Sequence, residues 1–193
     1  MAGVEDEEAR MSVVVGLVKD GKVYLAADTR CLEGYSKTYA KKLFVNQHPQ
    51  WGMWAIGAAG YMRNVEIATE LDLPVLKGRV RRNTTIPNLC RGYFDCLRKE
   101  VNDRGILKDG EAESAFMLAV KGRLFVIESS FCMTEITTLK AVGTGGDYAE
   151  GALWALQKFC PGMDPADMVR SAVESAIHYN VSVGGTVDVA VIG

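Results

Sequence analysis

Three side chains with hydrolytic potential stand at the edges of apolar runs near the start of this chain: Ser12, Asp28 and Lys42. Ser12 opens Val13-Val14-Val15-Gly16-Leu17-Val18, Asp28 closes Val23-Tyr24-Leu25-Ala26-Ala27, and Lys42 precedes Leu43-Phe44. A serine hydroxyl is a weak nucleophile and needs a base close by. A charged lysine beside it favours loss of the hydroxyl proton and stabilises developing negative charge. A carboxylate beside the lysine would hold it charged and in place. The usual histidine base has no support here. There is no Gly-x-Ser-x-Gly elbow and no Ser-His-Asp signature, and His48 and His178 both read as structural. Plainer readings stand alongside: Ser12 as a polar strand start, Asp28 as a turn residue, Lys42 as an exposed strand lysine and Thr144 as a helix N-cap.

Other chemistries find less. The five cysteines, Cys31, Cys90, Cys96, Cys132 and Cys160, are scattered and form no CxxC pair, so they read as reduced and mostly buried thiols. Neither HExxH nor a Cys/His cluster is present, so no metal or cofactor is expected. Gly143-Thr144-Gly145-Gly146 lacks the Lys-Ser/Thr of a phosphate loop. A net charge of −2 gives no reason to expect nucleic acid or an anionic membrane as a partner. Apolar runs are strand-sized, well short of the ~20 residues that span a bilayer.

The elements that must position these residues alternate between the two periods. With 193 residues the chain can bury a substantial core as one domain. Residues 1–11, Met-Ala-Gly-Val-Glu-Asp-Glu-Glu-Ala-Arg-Met, are acidic and aperiodic and read as a propeptide or extension. Residues 12–18 and 23–30 are nearly continuous apolar strands of the kind covered on both faces, joined by an Asp20-Gly21 hairpin. Strands follow over 41–46 and 52–59, with His48-Pro49-Gln50 as their turn. Helical spacing runs over 60–73 and 86–101, separated by a basic loop at 77–82. Strands at 114–120, 124–130 and 133–139 precede helices over 147–159 and from Asp164-Pro165 onward, and 187–192 is a final strand. This order predicts a layered α/β protein. Trp51, Trp54 and Trp154 read mostly as core.

Several segments, in order, resemble proteasome β-subunits and their bacterial relative HslV. These are Gly21 to Arg30, Lys41-Lys42-Leu43-Phe44, Gly52 to Gly60, Ala141 to Ala149 and Gly184 to Ile192. The resemblance implies an α+β fold, the four-layer αββα sandwich of N-terminal-nucleophile hydrolases, over residues 12–193. It implies Ser12 as nucleophile, with its own α-amine as base; an α-amine has a reference pKa of about 7.7–8.0, near working pH. Lys42 and Asp28 become the supporting pair, Gly57 the oxyanion N–H donor and Thr144 a hydroxyl near the nucleophile. Ala40, Phe44, Ala55 and Ala59 would line a roomy apolar specificity pocket.

Two departures from the family pattern matter. Asn180 stands where many members have aspartate, and Val183 where serine is common. Asn180 could still accept a hydrogen bond from the α-amine. Met11, rather than glycine, precedes Ser12, so exposure of the amine needs either self-cleavage of 1–11 or methionine removal from a start at Met11. The resemblance further implies a cytoplasmic peptidase that stacks with copies of itself in hexameric or heptameric rings. It would act on unfolded polypeptides delivered by an AAA+ ATPase unfoldase, without nucleic acid, membrane, metal or cofactor. The alternatives are a catalytically inactive structural ring subunit and a small-molecule amidase on the same fold.

Overall fold

The computed structural model describes residues 12–33, 36–78, 84–105, 107 and 109–193. The acidic segment 1–11 and most of the basic loop, residues 79–82, lie outside them. Eleven strands and four helices are described: β1 (Val14–Lys19), β2 (Lys22–Asp28), β3 (Arg30–Glu33), β4 (Ser36–Tyr39), β5 (Leu43–His48), β6 (Gly52–Gly60), α1 (Met62–Glu70), α2 (Ile86–Asp103), β7 (Ser114–Val120), β8 (Arg123–Ile127), β9 (Met133–Ile136), β10 (Leu139–Val142), α3 (Gly146–Phe159), α4 (Pro165–Tyr179) and β11 (Val187–Ile192).

The strands form two main antiparallel sheets. One has the order β10-β1-β2-β11, the other β5-β6-β7-β8-β9, and β3 and β4 form a separate hairpin. Because strand side chains alternate between faces, each sheet supplies two apolar surfaces. Val14, Leu25 and Ala27 of the first sheet meet Leu43, Ala55, Met117 and Leu124 of the second. On its other face the first sheet carries Val13, Val15 and Leu17 onto Ala149 and Leu153 of α3 and Val169 and Val173 of α4. The second sheet carries Trp54, Ile56 and Phe116 onto Val65 of α1 and Tyr93 and Leu97 of α2. Helix, sheet, sheet, helix is the four-layer αββα sandwich expected.

Small residues set the spacing of the layers. A Cβ at Gly16 would lie 2.6 Å from Leu124 Cδ2 and 3.3 Å from Met117 Sδ, so glycine there lets the sheets approach. Asp20 and Gly21 turn with φ of 51° and 72°, as a tight hairpin matched to strand twist requires. The buried His48 is structural: its Nδ1 accepts the N–H groups of Gln50 and Trp51.

The structure corrects several readings of the sequence. The single strand expected over 133–139 is two strands on different sheets, β9 at the edge of one and β10 at the edge of the other. The chain crosses at Thr137-Thr138, and Thr138 O takes up the N–H of Val18. The hairpin β3–β4 gave no signal, because its sequence is polar and lacks alternation. Of the cysteines only Cys31 and Cys90 are buried; Cys96, Cys132 and Cys160 are exposed. Trp54 is core, but Trp154 is 52% exposed. Among the described residues no helix is long and apolar enough to cross a membrane.

Candidate active site

The two sheets bring Ser12, Asp28 and Lys42 together. β1 pairs with β2 in a register that sets Val14 opposite Ala27, so the residues ahead of β1 run alongside the end of β2. Asp28 Oδ1 accepts the N–H of Val13 at 2.9 Å, one residue after Ser12. Lys42 arrives from the other sheet, just ahead of β5. Its Nζ donates to Asp28 Oδ1 at 2.9 Å and also to the carbonyl of Arg30. The second carboxylate oxygen, Oδ2, accepts the N–H of Gly184 at 3.1 Å. Both side chains of the pair are fully buried. The plain readings, a turn aspartate and an exposed lysine, therefore fail. An ion pair out of water is costly unless its remaining lone pairs and protons are also satisfied, and here Asp28 accepts from three donors.

Ser12 is 2% exposed. Its carbonyl accepts the N–H of Gly145 at 3.3 Å, and a Cβ at Gly143 would collide with that carbonyl. Gly143 has φ of 92°, a conformation glycine adopts readily. The turn before α3 is thus packed onto the nucleophile candidate. It places the positive end of the α3 dipole, capped at Gly145, beside Ser12. The cap position belongs to Gly145, so Thr144 is not the N-cap. Thr144 is exposed, and its carbonyl accepts Asn180 Nδ2 at 2.9 Å. Asn180 Oδ1 accepts the N–H of Ser182 at 2.9 Å, so this side chain ties two loops together. Val183 is buried against the same turn, its Cγ2 within 2.8 Å of where a Gly145 Cβ would be.

A cleft of about 300 Å3 opens beside this turn, its lining including Ala59, Gly60, Ser114, Gly143, Thr144 and the carboxylate residues Glu113 and Glu128. Gly60 has φ of 127°, and a Cβ there would meet Glu113 O at 2.5 Å and Ser114 Cα at 2.6 Å. The backbone alternates along β6. The N–H of Ala58 donates to Lys42 O at 3.1 Å, towards the β5 edge. Gly57 stands opposite Leu43 of β5 on one side and Met117 of β7 on the other. A Cβ at Gly57 would sit 2.8 Å from Val14 Cγ1, between the sheets.

The expected specificity pocket also divides. Leu43 pairs with Gly57 and Phe44 with Ile56, so Phe44 shares a face with Ile56 while Ala55 and Ala59 point to the other. Phe44 packs towards the α1–α2 layer and Ala55 and Ala59 into the sheet interface. Ala40, whose N–H donates to Thr29 O at 2.8 Å, sits at the entry to β5. These four residues do not line one pocket. A neighbour the sequence did not flag is Cys31. Its Sγ lies 3.4 Å from Met62 Sδ, and burial raises its thiol pKa, opposed by the nearby Lys42 charge. Among the described residues no cluster of His, Cys, Asp or Glu could hold a metal ion.

No family model and no curated protein matches the chain. Solved structures do. BPH of Thiobacillus denitrificans, solved in complex with epoxomicin, is similar over 93% of this chain and 97% of its own, with a TM-score of 0.74 and 22% identity. HslV of Trypanosoma brucei matches 93% of this chain and 98% of its own at a TM-score of 0.68 and 22% identity. Anbu of Hyphomicrobium matches 92% and 80% at 0.72 and 19%. At these identities the likeness establishes the fold, which is the proteasome-like one.

Proposed function

We propose that this chain is a peptidase subunit of the N-terminal-nucleophile type, with Ser12 as nucleophile once residues 1–11 are gone. The observation that carries this reading is the fully buried Lys42–Asp28 pair, locked by Val13 and Gly184 one residue from Ser12. Such a pair is costly to build, and one set a single residue from a candidate nucleophile supports a functional role.

The steps follow from the chemistry of the groups. The α-amine of Ser12 takes the proton of its own hydroxyl as Oγ attacks a peptide carbonyl. The Lys42 ammonium lowers the cost of the alkoxide. The carbonyl oxygen becomes an oxyanion, for which the N–H of Gly57 is the proposed donor. The α-ammonium then returns its proton to the departing amine, leaving an ester on Ser12. Water, deprotonated by the same amine, attacks the ester and frees both the acid product and the hydroxyl. Thr144 remains at the mouth of the cleft, in reach of an incoming chain.

Unfolded polypeptide is the fitting substrate, and a ring of copies served by an AAA+ ATPase unfoldase the fitting context. Rings need apolar contact surface. Tyr148, Trp154, Phe159 and Tyr179 supply exposed aromatic area on α3 and α4, where Tyr148 stacks on Tyr179 with ring centroids 6.0 Å apart. The rival reading, an inactive ring subunit, draws on the apolar Val183 and on Asn180 being engaged by Thr144 and Ser182.

Intact mass of the purified protein, followed by assay on fluorogenic peptides, separates the two. A mass starting at Ser12, with hydrolysis lost by ~1000-fold or more in Ser12→Ala at unchanged stability, supports the peptidase. Epoxomicin, the ligand of the Thiobacillus neighbour, is a suitable active-site probe. An inert protein that begins at Ser12 with a free amine establishes the structural subunit.

A further inference from the structure

Arg30 contacts Lys42 directly and reaches Asp28 through Gly184. Its carbonyl accepts Lys42 Nζ. Its N–H donates to Gly184 O at 2.9 Å. Its Nη1 donates to Val181 O at 2.8 Å. Its guanidinium lies flat over Gly184: a Cβ at that position would be 2.5 Å from both Nε and Nη2. Gly184 in turn donates its N–H to Asp28 Oδ2 at 3.1 Å. The stacked Nε is buried and has no hydrogen-bond partner. An unpaired buried N–H is a cost that a plain aliphatic side chain of similar length would avoid. Packing alone therefore does not account for arginine here.

We propose that Arg30 is a positioning residue of this site. Its guanidinium clamps the 181–184 segment so that the Gly184 N–H is held on Asp28, while its carbonyl holds the Lys42 ammonium. One residue thereby fixes both the orientation of the carboxylate and the reach of the lysine. Glycine at 184 is required because the guanidinium occupies the space of its Cβ. A planar, always-charged fork suits this stacking and carbonyl contact better than a flexible ammonium does.

The kinetic consequence rests on the peptidase reading; the geometric one does not. The experiment therefore measures both, on the full chain, for Arg30→Met, Arg30→Lys and Gly184→Ala. Arg30→Met keeps the aliphatic stem, so it preserves the fold if packing suffices. The first readout is amide hydrogen exchange at Gly184, which reports its hydrogen bond to Asp28 whether or not the protein hydrolyses anything. Exchange is expected to speed up by roughly tenfold in Arg30→Met and Gly184→Ala, less in Arg30→Lys, and no further in the Arg30→Met/Gly184→Ala double variant, since one clamp is removed either way. The second readout is kcat against KM: kcat falls roughly tenfold with KM within about twofold, and lysine restores part of it. Unchanged Gly184 exchange in folded Arg30→Met overturns the proposal. So does a loss confined to KM. A wild-type protein with no hydrolysis, but with Gly184 exchange that responds as expected, leaves the clamp standing and removes the peptidase reading alone.

Discussion

Lys42 and Asp28 meet at 2.9 Å with both side chains fully buried, whereas Arg123 and Glu135 meet at 2.5 Å with 38% and 35% of their side chains exposed. The surface contact is the shorter and is bidentate, since Arg123 Nε and Nη2 both donate to Glu135. Judged by distance it would be the stronger. Solvent reverses the order of consequence. Exposed charges that lose a partner are rehydrated, while a buried charge that loses its partner has nothing to replace it. The surface pair joins neighbouring strands β8 and β9, whereas the buried pair joins the two sheets at the start of β1. Position in the fold, rather than geometry of the contact, separates a surface ornament from a site.

The largest break in this comparison should come from Lys42→Met. It leaves Asp28 buried and uncompensated, so urea denaturation should show a loss of about 3–5 kcal/mol. The Lys42→Met/Asp28→Asn double variant, which removes the buried charge but keeps an acceptor for the Val13 N–H, should regain part of that stability without regaining hydrolysis. Single and double variants of equal stability would show that the pair is not coupled.

Thiols extend the contrast between buried and exposed groups. Burial pushes the Cys90 thiol up to about 12. Roughly one molecule in ten thousand then carries the Cys90 thiolate at pH 8, against a quarter for a thiol at its ordinary pKa. Iodoacetamide should label Cys96, Cys132 and Cys160 in the native protein and spare Cys90, with Cys31 also slow. Labelling of Cys90 at the rate of the exposed thiols, read by peptide mass mapping, would mean that the α2 layer opens readily. The smallest effect belongs to Arg123→Ala. Its urea midpoint should indicate about 0.5 kcal/mol or less, and high salt should shrink even that.

Much of this site is legible in the sequence because it depends on residue type and chain order. Ser12, Asp28 and Lys42 stand at the margins of apolar runs, and a family resemblance spread over five segments orders them. The run order gives a layered α/β protein, and the resemblance is what implies the αββα sandwich. What was misread shares one cause. Phe44 and Ala55 look like neighbours lining one pocket until the β5–β6 register, Leu43 to Gly57, separates their faces. Register and edge are relations between strands, and a strand read alone has neither.

The sequence by itself determined most of the helices and strands, marked Ser12, Asp28 and Lys42 as candidate hydrolytic groups, and offered no histidine-base motif beside them. These depend on local periodicity and side-chain identity. Only the tertiary structure decided that Lys42 is buried rather than exposed, that Arg30 and Gly184 hold the pair, and that residues 133–142 cross from one sheet to the other. Burial and hydrogen-bond partnership are set by what packs against a residue from distant parts of the chain. Asp28 and Gly184 acquire their roles only when β2 and the segment entering β11 are brought side by side.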